Sequence, residues 1–350
     1  MQTIKALDEM GIKIYLCASS YPDATITSKR LGIDVSNSIS GFFKGINRHD
    51  IPPILQPYQM MIYSHFSVKK FLKQYDLDFI IITGEPIIVP RKIANKTIAY
   101  IHFPVGLFTA QQREMESRIT KIQVKTWQYI SNINRVTLLT NSNYEKNLIT
   151  KAWAKDATVI YPPSPQYSFS LNHFRDDVVC TLARFTPDKD YETVLEVARR
   201  LPDTKFELLG SVSPENLSYS EKLRNIATKN VTFHMNATIK EKISVLMMSK
   251  VLLHTFAGEH FGIAIVEAMS AGIIPVTFDS GAAKVDGLVK QRFRYLDIDG
   301  AVKSVNDALS SWNCNEARML REKAKNYSPE SFKEKITLFI SSWLRSKNLS

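Results

Sequence analysis

Cysteine is scarce in this 350-residue chain: Cys17, Cys180 and Cys314 stand far apart, with no CxxC pair. That spacing gives neither a disulfide framework nor a zinc or thioredoxin-like motif, and a reducing compartment suits it. Each reads as a small buried apolar residue without a catalytic role. Long apolar runs are missing too. The longest candidate, FIIITGEPIIV, is interrupted by Glu85 and Pro86, short of the roughly 18 apolar residues of a membrane span. The opening residues lack the charged and apolar regions of a signal peptide. There is no low-complexity tract and no internal repeat. RNP, KH and helix-turn-helix signatures are also absent, so nucleic acid is not an expected partner despite a pI of about 9.4. These absences point to a cytoplasmic protein, at most peripheral on the cytosolic face of a membrane.

What is present is an ordinary soluble composition, 44% apolar and 23% charged, enough to bury a core in each of two domains. The net charge is +11, and residues 1–170 carry most of it, with 20 Lys and Arg against 12 Asp and Glu. Such a bias suits an anionic partner, either a membrane surface or a phosphorylated substrate. Between Gln111 and Arg135, Arg113, Arg118, Lys121, Lys125 and Arg135 alternate with Ile119, Ile122, Val124, Trp127 and Tyr129. This is a basic amphipathic face for anionic lipid, or a plain helix with one solvated side.

The periodicity predicts a helix over Met1–Met10 closed by Gly11, a strand in IKIYLCAS, a helix over 58–74, and strands LDFIIIT and TIAYIHF. A helix over Asn143–Trp153 and the short strand in ATVIYPPSP follow, stopped by Pro162, Pro163 and Pro165. From Asp177 strands and helices alternate to the end. That pattern predicts an α/β protein of two doubly wound, Rossmann-like domains with parallel sheets. The expected division is 1–162, a linker 163–176, a second domain 177–325, and a C-terminal helix within 326–350 returning to the first.

In such sheets ligands bind beyond the carboxyl ends of the strands. The loop after VLLHTF holds Glu259, with Phe261, Gly262 and Ile263 leading into a helix that carries Glu267. Among 17 glutamates about one pair at this spacing is expected by accident, so the surroundings carry the signal. A helix N-terminus offers free N–H groups to a diphosphate, Gly262 admits close backbone approach, and Glu267 can accept ribose hydroxyls. Arg184 and Lys189, after the strand VVCTLARF, are placed to neutralise a leaving diphosphate. Ser280, Gly281 and Lys284 form a further candidate phosphate loop. There Ala282 costs about 1 kcal/mol if its φ is positive. His102 ends TIAYIHF and can donate to a sugar hydroxyl or support an oxocarbenium ion.

The run Glu259, Phe261, Gly262, Glu267, Ala268, Met269, Ser270, Gly272, Pro275 resembles the signature of glycosyltransferase family 4, which has the GT-B fold of two domains facing a cleft. The resemblance implies that Glu259 holds donor-sugar hydroxyls, Glu267 the ribose, Arg184 and Lys189 the diphosphate, and His102 the reacting sugar, with no metal or other cofactor. YIHFP, VIYPPS, PDKD and the stretch Glu259–Asp286 are similar to a mannosyl-transferring subgroup, over roughly residues 60–345. This implies a nucleotide-sugar donor, GDP-mannose, and a lipid-linked oligosaccharide acceptor. Arg184 departs from that subgroup towards the wider family, which keeps a UDP-sugar and another acceptor open, as it does a non-catalytic nucleotide-sugar-binding subunit. Family chains open with a strand and a glycine-rich loop ahead of the helix that starts here. The first strand of the N-terminal domain is therefore expected upstream of Met1, or missing.

Overall fold

The computed structural model describes residues 1–22, 34–45, 63–84, 89–102, 129, 131–170 and 175–348. The chain divides into two compact units, Met1–Tyr161 with Phe332–Ser350, and Pro162–Ser331. The helix Pro329–Ser346 crosses that division.

In the first unit α1 (Gln2–Glu9) ends as its sequence predicts. Gly11 takes φ +74°, the Gly11 N–H donates to Asp8 O and the Ile12 N–H to Leu7 O, so two otherwise orphaned carbonyls are satisfied. Strand β1 (Tyr15–Ala18) begins three residues inside the predicted IKIYLCAS and pairs in parallel with β2 (Gly41–Lys44). The predicted helix over 58–74 is described from Tyr63, as a π-helical turn to Val68 and then α2 (Lys69–Gln74). Strands β3 (Ile80–Thr83), β4 (Thr97–Ile101), β5 (Thr137–Thr140) and β6 (Thr158–Val159) form a parallel sheet in that order. Between β5 and β6 runs α3 (Asn143–Trp153), N-capped by Ser142, whose hydroxyl accepts from the Glu145 N–H at 3.0 Å.

Because successive strand residues face opposite ways, β4 feeds two cores. Ile98 and Tyr100 join Ala6, Leu7, Phe332, Ile336, Ile340 and Trp343 on one face. Ala99 and Ile101 join Ile149 and Trp153 on the other. The last helix presents its apolar side at i, i+4, i+8 and i+11 and is pinned by the Trp343 indole donating to Thr137 Oγ1 at 2.9 Å. Most of the basic segment 111–135 lies outside the described residues, as do Glu85, Pro86 and Pro104.

The second unit contains β7 (Val178–Leu182), β8 (Lys205–Gly210), β9 (Val231–Met235), β10 (Val251–His254), β11 (Ile274–Phe278) and β12 (Arg294–Tyr295). Its helices are α4 (Tyr191–Arg200), α5 (Leu217–Ile226), α6 (Ile239–Met248), α7 (Ile263–Ser270), α8 (Gly281–Val285), α9 (Ile298–Ser311) and α10 (Cys314–Lys325). All strand pairs are parallel and the order is β12-β11-β10-β7-β8-β9. β7 and β10 are buried throughout, as strands covered on both faces must be. The chain winds outward from β7 in one direction and from β10 in the other. Their carboxyl ends therefore open the crevice where the winding reverses.

One buried cation braces the helices behind this crevice. Arg175, 2% exposed, donates to Ser249 O and Ala271 O, both at 2.6 Å. It thereby satisfies carbonyls at the ends of α6 and α7, where the helix dipole favours a cation. Burial, helped by Arg321, lowers its pKa to about 10, still charged at neutral pH.

Candidate functional site

The two loops at the winding reversal are tied to each other. The Thr255 hydroxyl, just past β10, donates to the Lys189 carbonyl, just past β7, at 2.6 Å. The Lys189 ammonium lies 3.6 Å from the centroid of the Phe256 ring and 3.6 Å from Asp188 Oδ2. Arg184 is exposed in the same loop. Burial works against an ionised Asp188, but Thr186, Lys189 and Arg184 together hold its carboxyl below the usual range.

Glu259 sits beyond β10, with Oε2 2.9 Å from the His254 Nε2 of that strand. Burial alone would raise the carboxyl, but the hydrogen bond and charge of His254, with Lys189 and His260, bring it down to about 2. It is a fixed carboxylate, able only to accept. Its backbone is held from behind. The Gly258 N–H donates to Ser280 Oγ at 2.7 Å, and the Ala282 N–H to Glu259 O at 2.8 Å. Gly281 has φ +60°, and a Cβ there would lie 2.4 Å from Glu259 O, so only glycine lets the two loops approach.

Gly262 caps α7 with φ +89°, again a left-handed backbone suited to glycine. It turns the chain so that Ile263, 47% exposed, stands at the helix start. One helical turn on, Glu267 is 7% exposed. Its Oε1 accepts from the Tyr167 hydroxyl at 2.6 Å and pairs with the Lys242 ammonium. Burial and the Glu267 charge both push the Tyr167 phenol upwards, so it remains a donor.

The second unit thus brings Arg184, Lys189, Glu259, Gly262, Ile263, Glu267, Ser280, Gly281 and Lys284 to one edge of one sheet. Several of these side chains have partners within the unit. The Phe261 side chain, 2% exposed, packs 5.5 Å from the Tyr327 ring and supports the loop from within. Lys284 points to Asp279 Oδ2 at 2.9 Å, with Arg294 3.2 Å from Oδ1. Ser280 and Gly281 brace Glu259, so this loop is a buttress as much as a phosphate cradle. Ala282 is a buried residue of α8 and is not among the positive-φ residues, so the expected strain does not arise.

His102 belongs to the first unit. It follows β4, exposed, its ring 4.8 Å from that of Tyr100, and its carbonyl accepts from Asn141 Nδ2 at 2.9 Å. Sequence reading missed His254, Tyr167 and Lys242. His254 alone left a signal, a polar residue closing a fully apolar strand five residues before Glu259. Among the described residues no group of three His, Cys, Asp or Glu gathers as metal ligands, and no helix is long and apolar enough to cross a membrane.

Parallel, doubly wound units of this kind characterise the GT-B glycosyltransferases. A sucrose-phosphate synthase from Thermosynechococcus elongatus superposes with a TM-score of 0.73 at 15% identity, over 99% of this chain and 92% of that one, which shows the GT-B fold. Over residues 164–330 the chain matches the family described as glycosyl transferases group 1. It is also similar to two curated proteins named GDP-Man:Man(3)GlcNAc(2)-PP-Dol alpha-1,2-mannosyltransferase. The one from Dictyostelium discoideum is 26% identical over 189 residues, 46% of this chain and 37% of its own. The one from Neurospora crassa is 24% identical over 304 residues, 67% of this chain and 54% of its own. The chain spans about half or less of the length of these relatives.

Proposed function

We propose that the chain is a retaining glycosyltransferase that moves mannose from GDP-mannose to a lipid-linked oligosaccharide. The observation that carries this reading is the convergence of two carboxylates, Glu259 and Glu267, on the loop and helix start at the winding reversal of a group 1 domain. The relatives' printed names supply the donor and the dolichyl-diphosphate acceptor.

In this reading Glu259 accepts from hydroxyls of the donor sugar, Glu267 from the ribose, and Gly262 and Ile263 line the diphosphate side. The C1–O bond to the diphosphate breaks while the acceptor oxygen bonds to C1 on the same face. The acceptor's proton passes to the departing diphosphate oxygen. Arg184 and Lys189 balance the charge that gathers there, so no metal is needed. His102 acts on the sugar as the charge develops. The protein works in the cytoplasm and meets its acceptor at an anionic membrane surface, to which the positive first half is drawn.

The test is transfer of labelled mannose from GDP-mannose to a dolichyl-diphosphate oligosaccharide, with and without a chelator. Chelator-insensitive transfer with retained configuration is the expected result. Transfer from UDP-glucose but not GDP-mannose would move the reading to a UDP-sugar, the alternative that Arg184 favours. No transfer from any donor that binds would point to a nucleotide-sugar-binding subunit.

A further inference from the structure

Glu267 is held by residues that come from far apart in the chain. Tyr167 belongs to an extended strip rich in proline, Tyr161–Ser170. That strip is fastened along α7 and α10: the Ser164 N–H donates to Tyr327 O at 2.9 Å, the Ser270 hydroxyl to Pro165 O at 3.0 Å, and Gln166 Nε2 to Ala324 O at 3.3 Å. Ser270 lies on the same helix as Glu267, so this anchoring fixes where Tyr167 arrives. Tyr167 also stacks on Phe169, ring centroids 5.1 Å apart. Lys242 stands in the first turn of α6, which a reciprocal Thr238–Glu241 capping box holds in place.

Both partners reach the same oxygen, Oε1. Among the described residues no hydrogen bond or ion pair falls on Oε2. A carboxylate oxygen accepts hydrogen bonds. What it can still take is a hydroxyl donor. We propose that Lys242 and Tyr167 are positioning residues that lock Glu267 through Oε1 and leave Oε2 to read a ribose hydroxyl, so that they set discrimination between ribose and deoxyribose nucleotides. This inference rests on the assignment of Glu267 to the ribose. A free, rotating carboxylate would recruit either a hydroxyl or water with little preference, because the ordering would have to be supplied at binding.

The test measures affinity of the full chain for GDP and for 2′,3′-dideoxy-GDP, in the parent and in Lys242→Met and Tyr167→Phe. A hydrogen bond to a charged group is worth about 10-fold or more in affinity, so the parent should prefer GDP by at least that factor. Each variant should cut the preference to about 3-fold while leaving dideoxy-GDP affinity unchanged. Tyr167→Phe removes a single oxygen and guards against misfolding of the lysine variant. Variants that weaken both nucleotides equally, keeping the ratio, would overturn the positioning role and spare the ribose reading of Glu267. A parent with no preference, or no GDP binding, would overturn that reading and the positioning role with it.

Discussion

Glu259 and Glu267 are eight residues apart in one motif, yet their surroundings differ in kind. Glu259 stands on a loop, paired with an imidazole from its own strand and braced by a glycine-dependent contact between backbones. Glu267 stands within a helix, paired with an ammonium and a phenol brought from other parts of the unit. The first carboxylate takes its side-chain partner from its own stretch of chain, the second from residues remote in sequence. On the proposed reading, the carboxylate that meets the reacting sugar gains from a rigid backbone, and the one that grips the ribose gains from preorganised side chains.

Breaking each carboxylate in turn gives the largest expected effect. Glu259→Ala should lower kcat by about a hundredfold to a thousandfold, whereas Glu267→Ala should mainly raise the donor KM, by about tenfold to a hundredfold. Steady-state kinetics separates the two, and equal effects on kcat would erase the contrast.

Acid comes next. The Glu259 carboxyl is depressed to about 2 in the folded chain from 4.5, so the unfolded chain binds its proton first. The stability it contributes, about 3 kcal/mol, is whole above about pH 5 and lost as the pH falls from 4.5 towards 2. His254→Phe removes the main counterweight to burial and should raise that carboxyl, so that less stability is lost as the pH falls below 4.5. Urea unfolding at a series of pH values checks it; an unchanged acid limb would mean that His254 does not hold Glu259.

Smaller effects should follow from the buttress and the phenol. Gly281→Ala would force a Cβ against the Glu259 carbonyl and cost about 1–3 kcal/mol, with kcat reduced and nucleotide affinity kept. Tyr167→Phe should cost about 1 kcal/mol, visible in the urea midpoint. Loss of nucleotide affinity in Gly281→Ala would show that the two carboxylates are not independently supported.

Much of this was legible in the chain. The alternation of strands and helices from Asp177, the glycine at the start of α7 and the placement of Glu259 beyond a buried strand all follow from local pattern, which periodicity and capping report directly. Lys242 and Tyr167 were not legible, because each meets Glu267 only after the strand order and the proline strip bring them there. Lys284 illustrates the intermediate case. Its partner Asp279 is five residues away, but whether a lysine turns to a neighbour or to a ligand depends on the fold of the loop. Ala282 likewise could be judged only once its backbone angle was known.

On the proposed reading, Glu259 and Glu267 form one donor site at the winding reversal of the second unit. Calorimetric titration of GDP-mannose into the parent chain, Glu259→Ala and Glu267→Ala tests it most directly. Binding by the parent that weakens in both variants is the predicted result, with the greater loss in Glu267→Ala. Equal affinity in all three chains would show that the two carboxylates do not hold the donor.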